Sequence, residues 1–206
     1  MAMEPDPDIL DSLTPENLVH AYSHGLFPMV NDGELMWFSP DPRGLLPLDS
    51  RFHISRSLRR TIGRGVFECT VDACFGDVME LCGRRRDEGT WITPEMKIAY
   101  AKLHELGLAH SVEAWPAGEV RQGRPVGGVY GVSIGAAFFA ESMFHFETDA
   151  GKVALAYLVD HLAGRGFVLC DVQWTTENLK RFGAFDLPRM DYFQMLVPAV
   201  SREDAF

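Results

Sequence analysis

The sequence predicts a mixed α/β (α+β) protein: a small N-terminal domain, residues 1–65, followed by a larger domain, residues 66–206, on one mixed sheet. Three observations carry this. Hydrophobic residues make up 47% of the 206 residues and charged residues 23%, the balance of a packed core with a polar surface. The first 65 residues are broken by Pro, Gly and Asp into short elements, whereas regular helix and strand periodicities begin at Phe67. No internal repeat or low-complexity linker interrupts that regular part.

Thr14-Pro15 opens the first helix, with Thr as N-cap and Pro at the first helical position, where its missing N–H costs nothing. Gly25 suits the left-handed stop after it. The segment LFPMVNDGELMWFSPDPRGLLPLDS then predicts short strands and turns, and a short helix follows around Ser55 to Thr61. Phe67 to Val71 alternates as a strand, and Asp72 is expected to cap a helix running to about Cys82. Thr93-Pro94 repeats the cap-plus-proline signature and starts a helix that Gly107 ends. AHSVEAW and PVGGVYGVSI read as a hairpin, and AAFFAES as a third strand. Asp149 is expected to cap AGKVALAYLVDHLAGRG, whose apolar residues share one broad face. FVLCDVQW reads as a strand, TENLKRF as a short helix and YFQMLVP as a last strand.

The order β-α-α-β-β-β-α-β-α-β resembles that of the acetyltransferase-like (GNAT-like) acyltransferases, a likeness of fold that does not fix function. Acetyl-CoA enzymes of that kind cradle a pyrophosphate at a glycine-rich loop before the central helix. Here that place reads HFETDAGKVA, with Glu147, Asp149 and one glycine, so two acids would face the pyrophosphate. The order points to acyl transfer; the loop argues against coenzyme A as the donor.

Composition excludes other classes. No apolar run approaches the roughly 18 to 20 residues that span a bilayer, and the acidic start MAMEPDPDILDSL is not a secretory signal. Cys69, Cys74, Cys82 and Cys170 form no zinc-spaced set and read as reduced core residues of a cytoplasmic protein. A net charge of −10 argues against non-specific coating of nucleic acid. The charge is uneven, however: Met1–Glu16 holds five acids and no base, while Arg51–Arg64 holds five arginines and no acid. Local phosphate contacts remain open to it. No oligomerisation seam is evident, and a monomer is expected.

The motifs GLFPM, MWFSPDPRG, FHISRSLRR, DEGTWIT, YAKLHELGLAHSVEAW, GGVYGVSIG, ESMF and DVQW stand in the order found in leucyl/phenylalanyl-tRNA–protein transferases. The chain resembles that family from about Thr14 to its C-terminus. The resemblance implies transfer of Leu, Phe or Met from an aminoacyl-tRNA to a protein whose N-terminal residue is Lys or Arg, a step of bacterial N-degron degradation. It also implies no cofactor: no ATP, metal or coenzyme A.

The donor in such a reaction is an activated ester, so no protein nucleophile is needed. The attacking α-amine has a pKa of about 7.7 to 8. The protein must orient the reactants, help remove a proton and stabilise an oxyanion. Asp171 and Gln173 are two apart on a strand and so share a face; by resemblance this pair is the catalytic centre. Asp171 is expected to hold Gln173 and attract the amine, and Gln173 to bond the amine or the carbonyl. Glu141, set among apolar residues, is expected at the polar mouth of the aminoacyl pocket, binding an ammonium; the alternative is that it pairs with an arginine and fixes the strand end. Val129, Phe138 and Met143 match pocket positions of the family, and Leu158 and Cys170 are expected to line the pocket too. The family counterpart of Trp91 contacts the tRNA 3′ end. Met29 and Trp37 join it as candidates, Trp37 either at that cleft or in the N-terminal core. Arg56, Arg59, Arg60, Arg64 and Arg84 to Arg86 are candidates for tRNA phosphates.

Three departures from the family pattern stand out. Met29 replaces a frequent Trp that stacks on the terminal adenine, Gly151 replaces a frequent Ser, and EPDPDILDS replaces a Gly-rich segment. None removes Asp171, Gln173 or Glu141, and an active enzyme is expected. Two competing readings are a CoA-dependent N-acetyltransferase and a non-catalytic tRNA- or degron-binding protein.

Overall fold

In a computed structural model, which describes residues 12–31, 34–84, 90, 92–203 and 206, local signals set most helix starts. Thr14 accepts the Asn17 N–H at 3.2 Å and opens α1, Pro15–Ser23. Gly25 follows at φ +73°, a conformation glycine adopts freely. Strands β1, Phe27–Asn31, and β2, Glu34–Phe38, pair as an isolated antiparallel hairpin. Next come β3, Arg43–Leu45, and α2, Arg56–Gly63, the latter capped by the Ser55 hydroxyl. Then follow β4, Phe67–Val71; α3, Phe75–Cys82; and α4, Pro94–Glu105, capped by Thr93. The chain continues through β5, Ala109–Pro116; β6, Gly127–Ile134; β7, Ala137–His145; and α5, Ala150–Gly164. It ends with β8, Leu169–Gln173; α6, Glu177–Lys180; β9, Phe185–Leu187; and α7, Arg189–Val200.

Seven strands form one sheet in the order β4-β5-β6-β7-β8-β3-β9. All neighbours run antiparallel except β7 and β8, which are parallel and joined by the crossover helix α5. This is a mixed α/β architecture on one large sheet, as the element order predicts. The sheet takes β3 from the first 65 residues and seats it between β8 and β9. Two cores flank it: residues of α1, α3, α4 and α7 pack on one face, those of α5 with Leu58 of α2 on the other.

Three local expectations are corrected. Residues 192–198 belong to helix α7, not to a strand; Tyr192, Leu196 and Ala199 recur at helical spacing and are all buried. Asp72 does not cap α3: at φ +54° it instead accepts the Ser111 N–H and holds His110. Asp149 makes no side-chain cap either; it sits at φ +69° and bonds Lys152 at 2.8 Å.

One charged pair lies at the centre of this packing. Arg43 and Asp171 are each 0% exposed. Arg43 Nε donates to both Asp171 oxygens at 2.9 Å and its Nη2 donates to Oδ2 at 2.7 Å. Arg43 Nη1 donates to the Gly25 carbonyl at 2.8 Å, and Phe27 and Tyr192 present their ring faces to its guanidinium. Tyr192 Oη donates to Asp171 Oδ2 at 2.6 Å. One pair therefore ties β3, β8, the end of α1, β1 and α7 together.

The start of α5 lies close against the sheet. A Cβ on Gly127 would fall 2.5 Å from the Ala150 carbonyl carbon and 2.6 Å from the Gly151 nitrogen. One on Gly151 would meet the Phe144 carbonyl oxygen at 2.8 Å, so the serine frequent in the family has no room here without a shift.

Gly127→Ala is expected to cost about 1–3 kcal/mol of overpacking, lowering Tm by roughly 2–12 °C for a chain of this size; thermal denaturation by circular dichroism measures it. Arg43→Met leaves the Asp171 carboxylate buried without its counter-charge. Its expected cost is larger, about 3–5 kcal/mol in denaturant titration; a loss under 1 kcal/mol would contradict the pinning role.

Candidate active site

Parallel pairing of β7 with β8 runs only from Ala137/Leu169 to Phe139/Asp171. Beyond that point β7 continues to His145, while β8 turns away at Gln173, which has φ +58°. A left-handed conformation is costly for glutamine, roughly 1–3 kcal/mol, and here three contacts fix it. Asp171 Oδ1 accepts the Gln173 backbone N–H at 2.8 Å. The Trp174 N–H closes back on the Val172 carbonyl at 2.6 Å. Gly44 lies so near that a Cβ there would be 2.7 Å from the Trp174 carbonyl carbon and the Thr175 nitrogen.

Where the strands part, a cleft of about 380 Å³ opens. Val129, Ala140, Met143, Leu155 and Val172 give it an apolar wall, and Phe27, Met29, Trp174 and Leu179 lie around it. Its polar groups include Glu141, Gln173, Ser142, Thr176 and Asn178. A small apolar side chain fits such a space, with a few polar groups to orient what it carries.

Glu141 and Gln173 meet across the gap, Gln173 Nε2 donating to Glu141 Oε1 at 3.3 Å. Tyr22 of α1 donates to the same oxygen at 2.7 Å. The Tyr22 and Tyr100 hydroxyls touch at 2.5 Å; since Tyr22 spends its proton on the carboxylate, Tyr100 is the donor between them. Desolvation, reinforced by the charge of Asp171, pushes the Glu141 carboxyl up to about 8, against the lowering effects of Tyr22, Arg43 and Tyr100. The partner of Glu141 is thus a tyrosine chain and a glutamine amide; its carboxylate makes no ion pair with an arginine among the described residues.

The structure brings together Glu141, Gln173, Val129, Met143 and Met29 of the residues singled out in the sequence. Asp171 lies one residue behind this surface, wholly buried, with its oxygens engaged by Arg43, Tyr192 and the Gln173 N–H. Buried and fully engaged, it presents no oxygen to the cleft; what it holds there is the Gln173 backbone. Phe138 and Leu158 are core side chains behind the cleft wall, not part of it. Cys170 faces a different cavity, bounded by Leu45, Leu46 and Phe167, with burial pushing its thiol well up. Trp37 does not line the cleft; it packs against the core beneath the β1–β2 hairpin, opposite Pro28. Trp91, Arg85 and Arg86 lie outside the described residues.

None of the described basic candidates lines the cleft. Arg56, Arg59 and Arg60 of α2, with Arg64 just after it, are exposed and make no ion pair among the described residues. Arg84 is exposed and bonds Glu80 at 3.4 Å. Sequence reasoning did not single out Phe27, Leu155, Trp174, Thr176, Asn178 or Leu179, all of which line the cleft. Trp174 follows the Asp-x-Gln pair directly in the chain, and the backbone turn at Gln173 brings it to the cleft.

Comparison with known proteins bears on this cleft. A family model described as "Leucyl/phenylalanyl-tRNA protein transferase" matches residues 45–197, and one for that protein's N-terminal domain matches residues 11–41. A leucyl/phenylalanyl-tRNA–protein transferase of Herpetosiphon aurantiacus is 47% identical over 194 residues, covering 94% of this chain and 98% of the relative. One from Akkermansia muciniphila is 44% identical over 196 residues, covering 94% and 99%. One from Nitratidesulfovibrio vulgaris is 48% identical over 188 residues, covering 89% and 78%. With both parts of the chain matched and near full-length identity at this level, the protein belongs to the leucyl/phenylalanyl-tRNA–protein transferase family and is an aminoacyltransferase.

Proposed function

We propose that this protein transfers Leu, Phe or Met from aminoacyl-tRNA to the α-amine of proteins beginning with Lys or Arg, marking them for N-degron degradation in the cytoplasm, and that it does so as a monomer. The observation that carries the chemistry is the meeting of Glu141 and Gln173 at the rim of an apolar cleft. The aminoacyl side chain enters between Val129, Met143 and Leu155, where flexible Met adapts to both Leu and Phe. Its ester then lies beside Gln173.

A glutamine amide carries two N–H donors and one acceptor oxygen. One N–H is taken by Glu141. The other is free to bond the ester carbonyl as it becomes an oxyanion, and the oxygen accepts from the attacking amine. The neutral amine attacks the carbonyl carbon and a C–N bond forms. Glu141 accepts the proton released from nitrogen and returns it to the departing 3′ oxygen as the C–O bond breaks. The exposed arginines of α2 supply phosphate contacts for the tRNA.

Labelled leucine, presented as leucyl-tRNA with peptides beginning with Arg or Gly, tests the acceptor rule: label is expected on the Arg peptide alone, and equal labelling of both would refute that specificity. A second expectation concerns pH. With the Glu141 carboxyl at about 8, the protein holds it protonated below that pH, where it cannot accept a proton. Single-turnover transfer should rise steeply between pH 6 and 9, because carboxylate and neutral amine must coexist. Glu141→Gln should lower the plateau about 10²- to 10⁴-fold and leave a shallower profile set by the amine. The folded state also binds this proton more tightly than the unfolded chain, so Glu141 lowers stability as pH rises from about 4.5 to 8. Glu141→Gln should gain in Tm relative to the parent across that window; parallel Tm curves would count against the shifted carboxyl.

A further inference from the structure

In a regular strand, successive side chains point to opposite faces. Strand β8 obeys this through its first residues: Leu169 packs in one core, Cys170 and Val172 in the other. Gln173 and Trp174 break the rule. The left-handed backbone at Gln173 turns the chain so that Val172, Gln173 and Trp174 all line one cleft. The same turn that aims the Gln173 amide at Glu141 therefore also delivers an indole into the cleft.

That indole is held but not covered. Phe27 meets it at a centroid distance of 5.0 Å and an interplanar angle of 86°, Phe38 at 6.3 Å and 65°. Both are edge contacts, the favourable arrangement for aromatic rings, and they fix the ring plane. Trp174 nevertheless remains 44% exposed, whereas Trp115 is buried. Its backbone is fixed as well, by the bond to Val172 and by the close approach of Gly44. An anchored, half-exposed indole beside a reaction centre is a ready platform for a flat π-system.

The donor supplies one. In any aminoacyl-tRNA the ester sits on the ribose of the terminal adenosine, so the adenine is the group one sugar away from the reacting carbon. With the ester beside Gln173, the next residue along the chain is within reach of that base. Stacking suits the task because every tRNA ends in the same base, so a π-face is sufficient without edge-reading hydrogen bonds. We infer that Trp174 is the stacking platform for the terminal adenine of the donor, with Met29 among the apolar groups around the same cleft. This rests on the aminoacyl-tRNA reading of the site and adds a positioning residue to it.

The test uses the full chain and a non-hydrolysable donor end, phenylalanyl-adenosine with the ester replaced by a 3′ amide, beside the same compound lacking the base. The adenosine compound is expected to quench tryptophan fluorescence in the parent. In Trp174→Ala that quench is lost and binding weakens about 5- to 150-fold, the span of one base–aromatic stack. The base-less compound should bind parent and variant alike. In transfer assays KM for leucyl-tRNA should rise with little change in kcat. Trp174→Leu, which keeps an apolar cover for Phe27 and Phe38, should repeat the loss and serves if the alanine variant does not fold. Unchanged affinity for the adenosine compound overturns the proposal. An equal loss for the base-less compound also overturns it, making Trp174 a wall of the acyl pocket. So does a KM effect confined to the acceptor peptide. Failure of the parent to transfer leucine would instead strike the functional reading, and the binding measurements would still stand.

Discussion

A guanidinium buried against a carboxylate, Arg43 on Asp171, is the constraint from which the rest of the site follows. Two charges taken out of water are costly unless every polar atom is answered. Here the answers come from five places in the chain: Gly25, Phe27, Arg43, the β8 strand and Tyr192. Since those groups converge only in the folded arrangement, the pair fixes where the last helix, the N-terminal helix and the short third strand must sit. It also fixes the Gln173 backbone, because Asp171 Oδ1 accepts that N–H as well. The carboxylate that anchors the packing thus also sets the backbone of a residue that lines the cleft.

From that turn a division of labour emerges. The hydrophobic wall comes from β6, β7, β8 and α5, through side chains of the core opposite the tyrosines. The polar groups come from the rim where β7 and β8 diverge. A carboxyl bonded by Tyr22 on one side, with Tyr100 behind it, and by Gln173 on the other is desolvated enough for its pKa to rise to about 8. The arginines of α2 do not line the cleft, so a chain with a net charge of −10 still carries an exposed basic stretch outside it.

Much of the fold was legible because helix starts and strand alternation are local. Thr14-Pro15, Ser55 and Thr93-Pro94 each cap the helix they announce. Helix α7 was not legible. It has Pro188 in place of a capping side chain, a Pro at 198, and exposed Met195 and Val197 that blur its period into a continuous apolar run. The failures at Asp72 and Asp149 share a cause: both have positive φ, which aims the carboxylate away from the helix N–H groups. At the site, Glu141, Gln173, Val129 and Met143 could be found from residue type and motif. Phe138, Leu158 and Cys170 could not be separated from true wall residues, since the position at which two parallel strands part is a tertiary property. Trp174 escaped for the opposite reason: strict alternation puts it on the far side of the sheet from Gln173, and only the left-handed turn brings it round.

The conformation at Gln173 has an evolutionary corollary. Glycine is the residue that occupies φ +58° without strain, so for folding alone position 173 would drift toward glycine and gain on the order of 1 kcal/mol. It would lose the amide in doing so. A glutamine there keeps the amide that meets Glu141, which glycine would lack. Across a set of related sequences, the residue type at this one position should separate working transferases from copies kept for their fold.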